Sequence, residues 1–81
     1  MAKLIKRYPR TEEKDRIVWE GSISDMIYHL NRQKVQYVKS QEKGSVIDVG
    51  EDTETSFSVI IYKDSSKLDE DSISIKYFIV H

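Results

Sequence analysis

Cysteine is absent from this 81-residue chain, which rules out disulfides, thiolate metal sites and cysteine nucleophiles together. A domain this small without such staples depends on its apolar core or on oligomerisation. The same absence suits a reducing compartment, so a cytoplasmic location is expected. Proline occurs once, at Pro9, and glycine three times, at positions 21, 44 and 50. No Pro- or Gly-rich linker divides the chain, and a single domain over 1–81 is expected. No apolar run approaches the roughly 20 residues needed to span a bilayer. The opening "MAKLIKRYPR" also lacks the apolar stretch of a signal peptide, so no membrane partner is expected. Alanine occurs once, at Ala2, while Lys, Ile, Ser and Asp are common. That bias suits an AT-rich genome, such as that of a bacterium or its phage.

Chemical signatures are equally scarce. There is no G-x-S-x-G, no phosphate-binding loop and no G-x-G-x-x-G, each of which would supply a nucleophile or an anion cradle. His29 is the only internal histidine, since His81 is the last residue. Two histidines, one of them terminal, do not make the compact ligand set that zinc requires. The acidic stretch "DSSKLDED" lacks the alternating ligands, the central glycine and the final bidentate glutamate of a calcium loop. No catalytic residue, metal or cofactor is therefore expected, and the chain reads as a non-enzyme. His29 reads as a helix-flank residue with its ring partly in water, and Trp19 as a core anchor of its strand.

Charge is abundant and nearly balanced, at -1 overall, which is unlike a generic polyanion binder. The two halves differ, however. Residues 1–43 carry ten Lys/Arg against six Asp/Glu, and residues 44–81 carry three against eight. Residues 1–14 read as a basic N-terminal arm in which Lys3, Lys6, Arg7 and Arg10 surround Tyr8. That pattern is compatible with phosphate contact and base stacking, although "TEEKD" follows at once and cancels part of the field.

The element signals are few and local. "DRIVWEG" combines β-branched and aromatic residues and predicts a strand. In "SISDMIYHLNRQ", Ile23, Met26, Ile27 and Leu30 fall on a stripe about 100° wide at helical spacing. Ser22 or Ser24 can cap that helix, and Asp25 complements its dipole. Tyr28 and Arg32, one turn apart, point away from the stripe. Val35, Tyr37 and Val38 in "KVQYVKS" favour a strand over a longer helix, with "QEKG" as a hairpin loop. "SVIDV", "SFSVIIYK" and "SISIKYFIV" follow as strands. The expected fold is α+β, a single amphipathic helix on an antiparallel sheet of about five strands. The expected order is β-α-β-β-β-β, with room for an extra N-terminal strand in "KLIKRY".

Alternation separates the two faces of the last hairpin. Phe57, Val59, Ile61, Ile73, Ile75, Tyr77 and Ile79 form the seat for the helix. Ser58, Ile60, Tyr62, Ser74, Lys76, Phe78 and Val80 form the other face, which is greasier than a wet face should be. Three things could cover it: the N-terminal segment through Leu4, Ile5 and Tyr8, a second copy of the chain, or another protein. If "SISIKYFIV" lies at the sheet edge, it could also add a partner strand.

These features point to a small protein-interaction module, a regulator or inhibitor of a larger protein, for which a phage-encoded anti-defence role is one suitable setting. The expected partner contacts are Tyr28, Arg32, Ile60, Tyr62 and Phe78, with another protein or a second copy as partner. The alternative is a nucleic-acid-binding domain using Lys3, Lys6, Arg7, Tyr8 and Arg10.

Overall fold

The computed structural model describes residues 1–41, 46–62 and 72–81. Strands β1 (Ala2–Arg7) and β2 (Arg16–Gly21) form an antiparallel pair, and helix α1 (Ile23–Gln41) follows them. Strands β3 (Val46–Asp52), β4 (Ser56–Tyr62) and β5 (Ser72–Val80) complete a five-stranded antiparallel sheet in the order β2-β1-β5-β4-β3. This is the expected α+β class, one helix on an antiparallel sheet. Most of the expected hairpin loop "QEKG" and all of the acidic stretch "DSSKLDED" lie outside the described residues.

The extra N-terminal strand for which the sequence left room is present, which shortens the expected basic arm, and the helix differs from the local reading. The N-terminal segment is a strand inside the sheet, paired with β2 on one side and β5 on the other. Apart from Met1, only Tyr8–Lys14 of the basic segment remains outside it. Thr11 turns this connection, its amide donating to the Tyr8 carbonyl at 3.1 Å. The Arg7 guanidinium closes the neck with two bonds to the Asp15 carboxylate, at 2.9 and 2.8 Å.

The helix runs on through "KVQYVKS", where a strand was expected. Ser22 caps it, accepting the Asp25 amide at 3.2 Å on its hydroxyl. Beyond Leu30, the core-facing positions at helical spacing are Lys34 and Tyr37. The Lys34 ammonium donates to the Thr53 carbonyl at 2.8 Å and pairs with Asp52 at 2.9 Å. The Tyr37 ring packs on Phe57 with centroids 6.3 Å apart, and its hydroxyl lies 3.3 Å from that of Tyr77. These tertiary contacts outweigh the weak strand preference of Val35 and Val38, whose side chains point to water instead. A longer helix also moves its buried centre. Met26 and Leu30 are fully buried and Ile27 is half-buried, whereas Ile23, expected in the stripe, is 37% exposed at the first helical position.

The core lies between α1 and one sheet face, and comprises Ala2, Leu4, Met26, Leu30, Ile47, Phe57, Val59, Ile75 and Tyr77. The register places Phe57 opposite Tyr77 and Val59 opposite Ile75, on the face expected to seat the helix. Burial, with the Tyr37 hydroxyl beside it, pushes the Tyr77 phenol well above its ordinary range.

Strand β5 is central rather than peripheral, since β1 and β4 take both its edges. The proposed strand-addition site on "SISIKYFIV" therefore does not exist. The free edges belong to β2 and β3, and each carries a bulge, opposite Leu4/Ile5 in one case and within Val49–Asp52 in the other. In the second bulge Gly50 passes so close to Ser58 that an added Cβ would stand 2.6 Å from its hydroxyl. A larger residue there would have to displace the Ser58 hydroxyl, which accepts the Glu51 amide at 2.8 Å.

Candidate functional site

Two surfaces carry the residues of interest, and they lie on opposite sides of the sheet. The first is an open groove of about 590 Å³ between β2 and the solvent side of α1. Trp19 of β2 forms its floor with His29 of α1, the two rings stacked at 4.2 Å and 7° from parallel. Tyr28 meets His29 edge-on with centroids 5.5 Å apart. The Arg32 guanidinium sits 5.9 Å from the Tyr28 ring. Gln33, Val35, Gln36 and Lys39 continue the lining along the helix. Tyr28, Arg32, Val35 and Lys39 recur at helical spacing, so the uninterrupted helix places them in one row.

That row is apolar and cationic at once. Tyr28 is 58% exposed and Val35 is 52% exposed. Arg32 and Lys39 supply positive charge, and no Asp or Glu lines the groove. Among the described residues neither cation has an ion-pair partner, whereas Arg7, Lys34 and Lys76 each have one.

The second surface is the sheet face away from α1, bearing Ile60, Tyr62 and Phe78. It is less open than its composition suggests. Tyr62 is only 8% exposed, and Ile60 and Phe78 are half-buried. The Arg7 guanidinium lies 4.7 Å from the Phe78 ring, and the Lys76 ammonium lies 5.8 Å from it. Both cations are tied down: Arg7 holds Asp15, and Lys76 holds Glu51 at 3.0 Å. These bonds keep both carboxyl groups below the usual carboxylate range, with the Ser56 hydroxyl adding to the effect at Glu51. Arg10 donates to the Ser72 hydroxyl at 2.6 Å. Pro9 and Arg10 border a small recess on this face with Ser58, Ile60 and Ser74. The N-terminal segment thus does reach the greasy face, but through Pro9 and Arg10. Leu4 belongs to the core beneath α1, and Tyr8 packs against that core. Ile5, the third residue expected to lie across the patch, instead belongs to the face itself, opposite Ile17 and Phe78 in the register.

The five expected partner contacts therefore do not form one surface. Tyr28 and Arg32 share the groove, while Ile60, Tyr62 and Phe78 lie behind the sheet. Trp19, His29, Gln33, Val35, Gln36 and Lys39 were not anticipated as groove residues, although Trp19, expected as a core anchor, does pack against the core as well. The available signal was the recurrence of Tyr28, Arg32, Val35 and Lys39, hidden by ending the helix too early.

The basic cluster is dispersed as well. Lys6 points to the helix side, its ammonium 5.0 Å from the Tyr8 ring and 5.8 Å from that of Tyr77. Alternation along β1 sends Lys3 and Arg7 to the other face. No single phosphate track joins Lys3, Lys6, Arg7, Tyr8 and Arg10.

Among the described residues, no His, Asp and Glu side chains gather into a metal-holding group, and no helix is long and apolar enough to cross a membrane. Comparison with protein-family models, curated proteins and solved structures found no match.

Proposed function

We propose that this protein is a non-catalytic interaction module that regulates a larger protein by docking through the groove between β2 and α1. The observation that carries this reading is the row Tyr28, Arg32, Val35 and Lys39, exposed beside the Trp19–His29 stack. Large rigid aromatics and an arginine are the side chains that most often dominate protein interfaces. The positive lining favours a partner that presents carboxylates together with an apolar side chain. A nucleic acid fits less well. His29 already occupies one face of Trp19, so that ring is not a free platform for a base. The basic residues of β1 are also divided between the two faces of the sheet.

The test is a display library of random 16-residue peptides, panned against the purified protein and against an Arg32→Glu variant. The expected result is enrichment of acidic peptides with at least one large apolar residue, with binding weakened tenfold or more by the variant. Enriched peptides that bind both proteins equally, or no enrichment at all, would overturn the reading.

A further inference from the structure

The groove adjoins the free edge of the sheet, and that position says how a partner would lie in it. Strand β2 pairs with β1 alone, so among the described residues the backbone groups on its outer side enter no ladder. Such an edge accepts another strand about 4.8 Å away. The flank of α1 stands over that edge, held there by the Trp19–His29 stack.

We infer that the β2 edge and the overhanging flank of α1 form one composite site, which takes an extended acidic segment of a partner protein as a sixth strand. This rests on the groove being the docking surface. Alternate side chains of an added strand point to opposite faces. Those on the helix side would meet Trp19, His29 and Gln33, with Arg32 and Lys39 available to their carboxylates. Those on the other side would lie beside Ile17, which is 52% exposed on β2. The backbone ladder supplies affinity and the side-chain pockets supply selectivity, as in other strand-addition sites.

The charges also choose between the two edges. Strand β3, at the far side of the sheet, carries Asp48, Glu51 and Asp52. Glu51 and Asp52 are already held by Lys76 and Lys34, and β3 itself has no Lys or Arg, so that edge offers an acidic segment no counterpart to Arg32 and Lys39. The β2 bulge opposite Leu4/Ile5 shortens the flat run available. The segment accommodated is therefore short, on the order of four to six residues for a strand of this length.

The experiment titrates isotopically labelled protein with ten-residue synthetic peptides in which Glu alternates with Val or Phe, followed by amide resonances. Companion peptides carry Lys for Glu, or N-methyl groups on one or the other alternate set of backbone amides. The expected result is perturbation of the Arg16–Gly21 amides and of the α1 flank. One N-methyl series should lose tenfold or more in affinity while the complementary series binds normally, and the Lys peptides should not bind.

Changes confined to α1, with both N-methyl series binding equally, would overturn strand addition while leaving the groove reading intact. Failure of every acidic peptide to bind at millimolar concentration would overturn both. Perturbation of the β3 edge, self-association with rising protein concentration, or tighter binding of an oligo-dT strand than of any peptide would each overturn the inference in favour of another occupant.

Discussion

The two sides of the sheet carry similar materials, aromatic rings with cations near them, and put them to different uses. Behind the sheet, Arg7 and Lys76 lie over Phe78 and are bound to Asp15 and Glu51. A cation held by a carboxylate lays its aliphatic stem across the ring and shields it, as long charged side chains do elsewhere. In the groove, Arg32 approaches Tyr28 without a carboxylate to hold it, and the ring stays exposed. Composition alone made the rear face look like the sticky one. Charge pairing instead holds the cations behind the sheet and, among the described residues, leaves those of the groove without a carboxylate.

The contrast can be broken by substitution. The largest effect is expected at Tyr62, the most buried of the proposed rear-face contacts. Tyr62→Ala should cost about 3 kcal/mol in a urea-denaturation series, the loss typical of a buried aromatic. A cost below about 1 kcal/mol would return Tyr62 to the list of surface contacts. Phe78→Ala should cost roughly 2 kcal/mol, because the ring is half-buried and loses its two overlying cations.

Tyr28→Ala and Val35→Ala, in contrast, should each change stability by no more than about 0.5 kcal/mol. Both should weaken binding of the enriched acidic peptides. If Tyr28→Ala unfolds the protein, the groove is core and the comparison fails.

The smallest expected effect is on pH dependence. Asp15 is held below its ordinary value of 3.8, chiefly by its hydrogen bonds to Arg7. A carboxyl whose folded pKa is depressed adds stability above its unfolded pKa. It loses that stability as pH falls through the lower folded value. The contribution is therefore present at pH 5 and fades below about pH 4. Because the pair is exposed, it is small and screened by salt. Asp15→Asn should slightly flatten the acid side of a plot of urea midpoint against pH between 2.5 and 6. An unchanged curve would show that the pair does not persist in solution.

Much of the fold was legible wherever the pattern is dense and local. In "SFSVIIYK" and "SISIKYFIV", the period of two assigned Phe57, Val59, Ile75 and Tyr77 to the helix side, and the register agrees residue by residue. Ser22 was readable as a cap because a serine hydroxyl just before an apolar helical stripe has an obvious amide to accept. "KVQYVKS" misled because Val35 and Val38 carry a real but small strand preference. The contacts of Lys34 and Tyr37 that override it are made with Asp52, Thr53, Phe57 and Tyr77, all distant in sequence. Losing that last stretch of helix also lost the groove, since Val35 and Lys39 join Tyr28 and Arg32 only on a continuous helix.

Taken alone, the order of residues determined the class of the fold, the helix that caps the sheet and the inward face of its last two strands. Those properties follow from periodicity and capping, which act over a few residues. Only the tertiary structure decided that β1 enters the sheet between β2 and β5, that the edges are β2 and β3, and which aromatic rings stay exposed. Those outcomes depend on long-range pairing and on where each cation finds its carboxylate, and neither is a property of any short window of the chain.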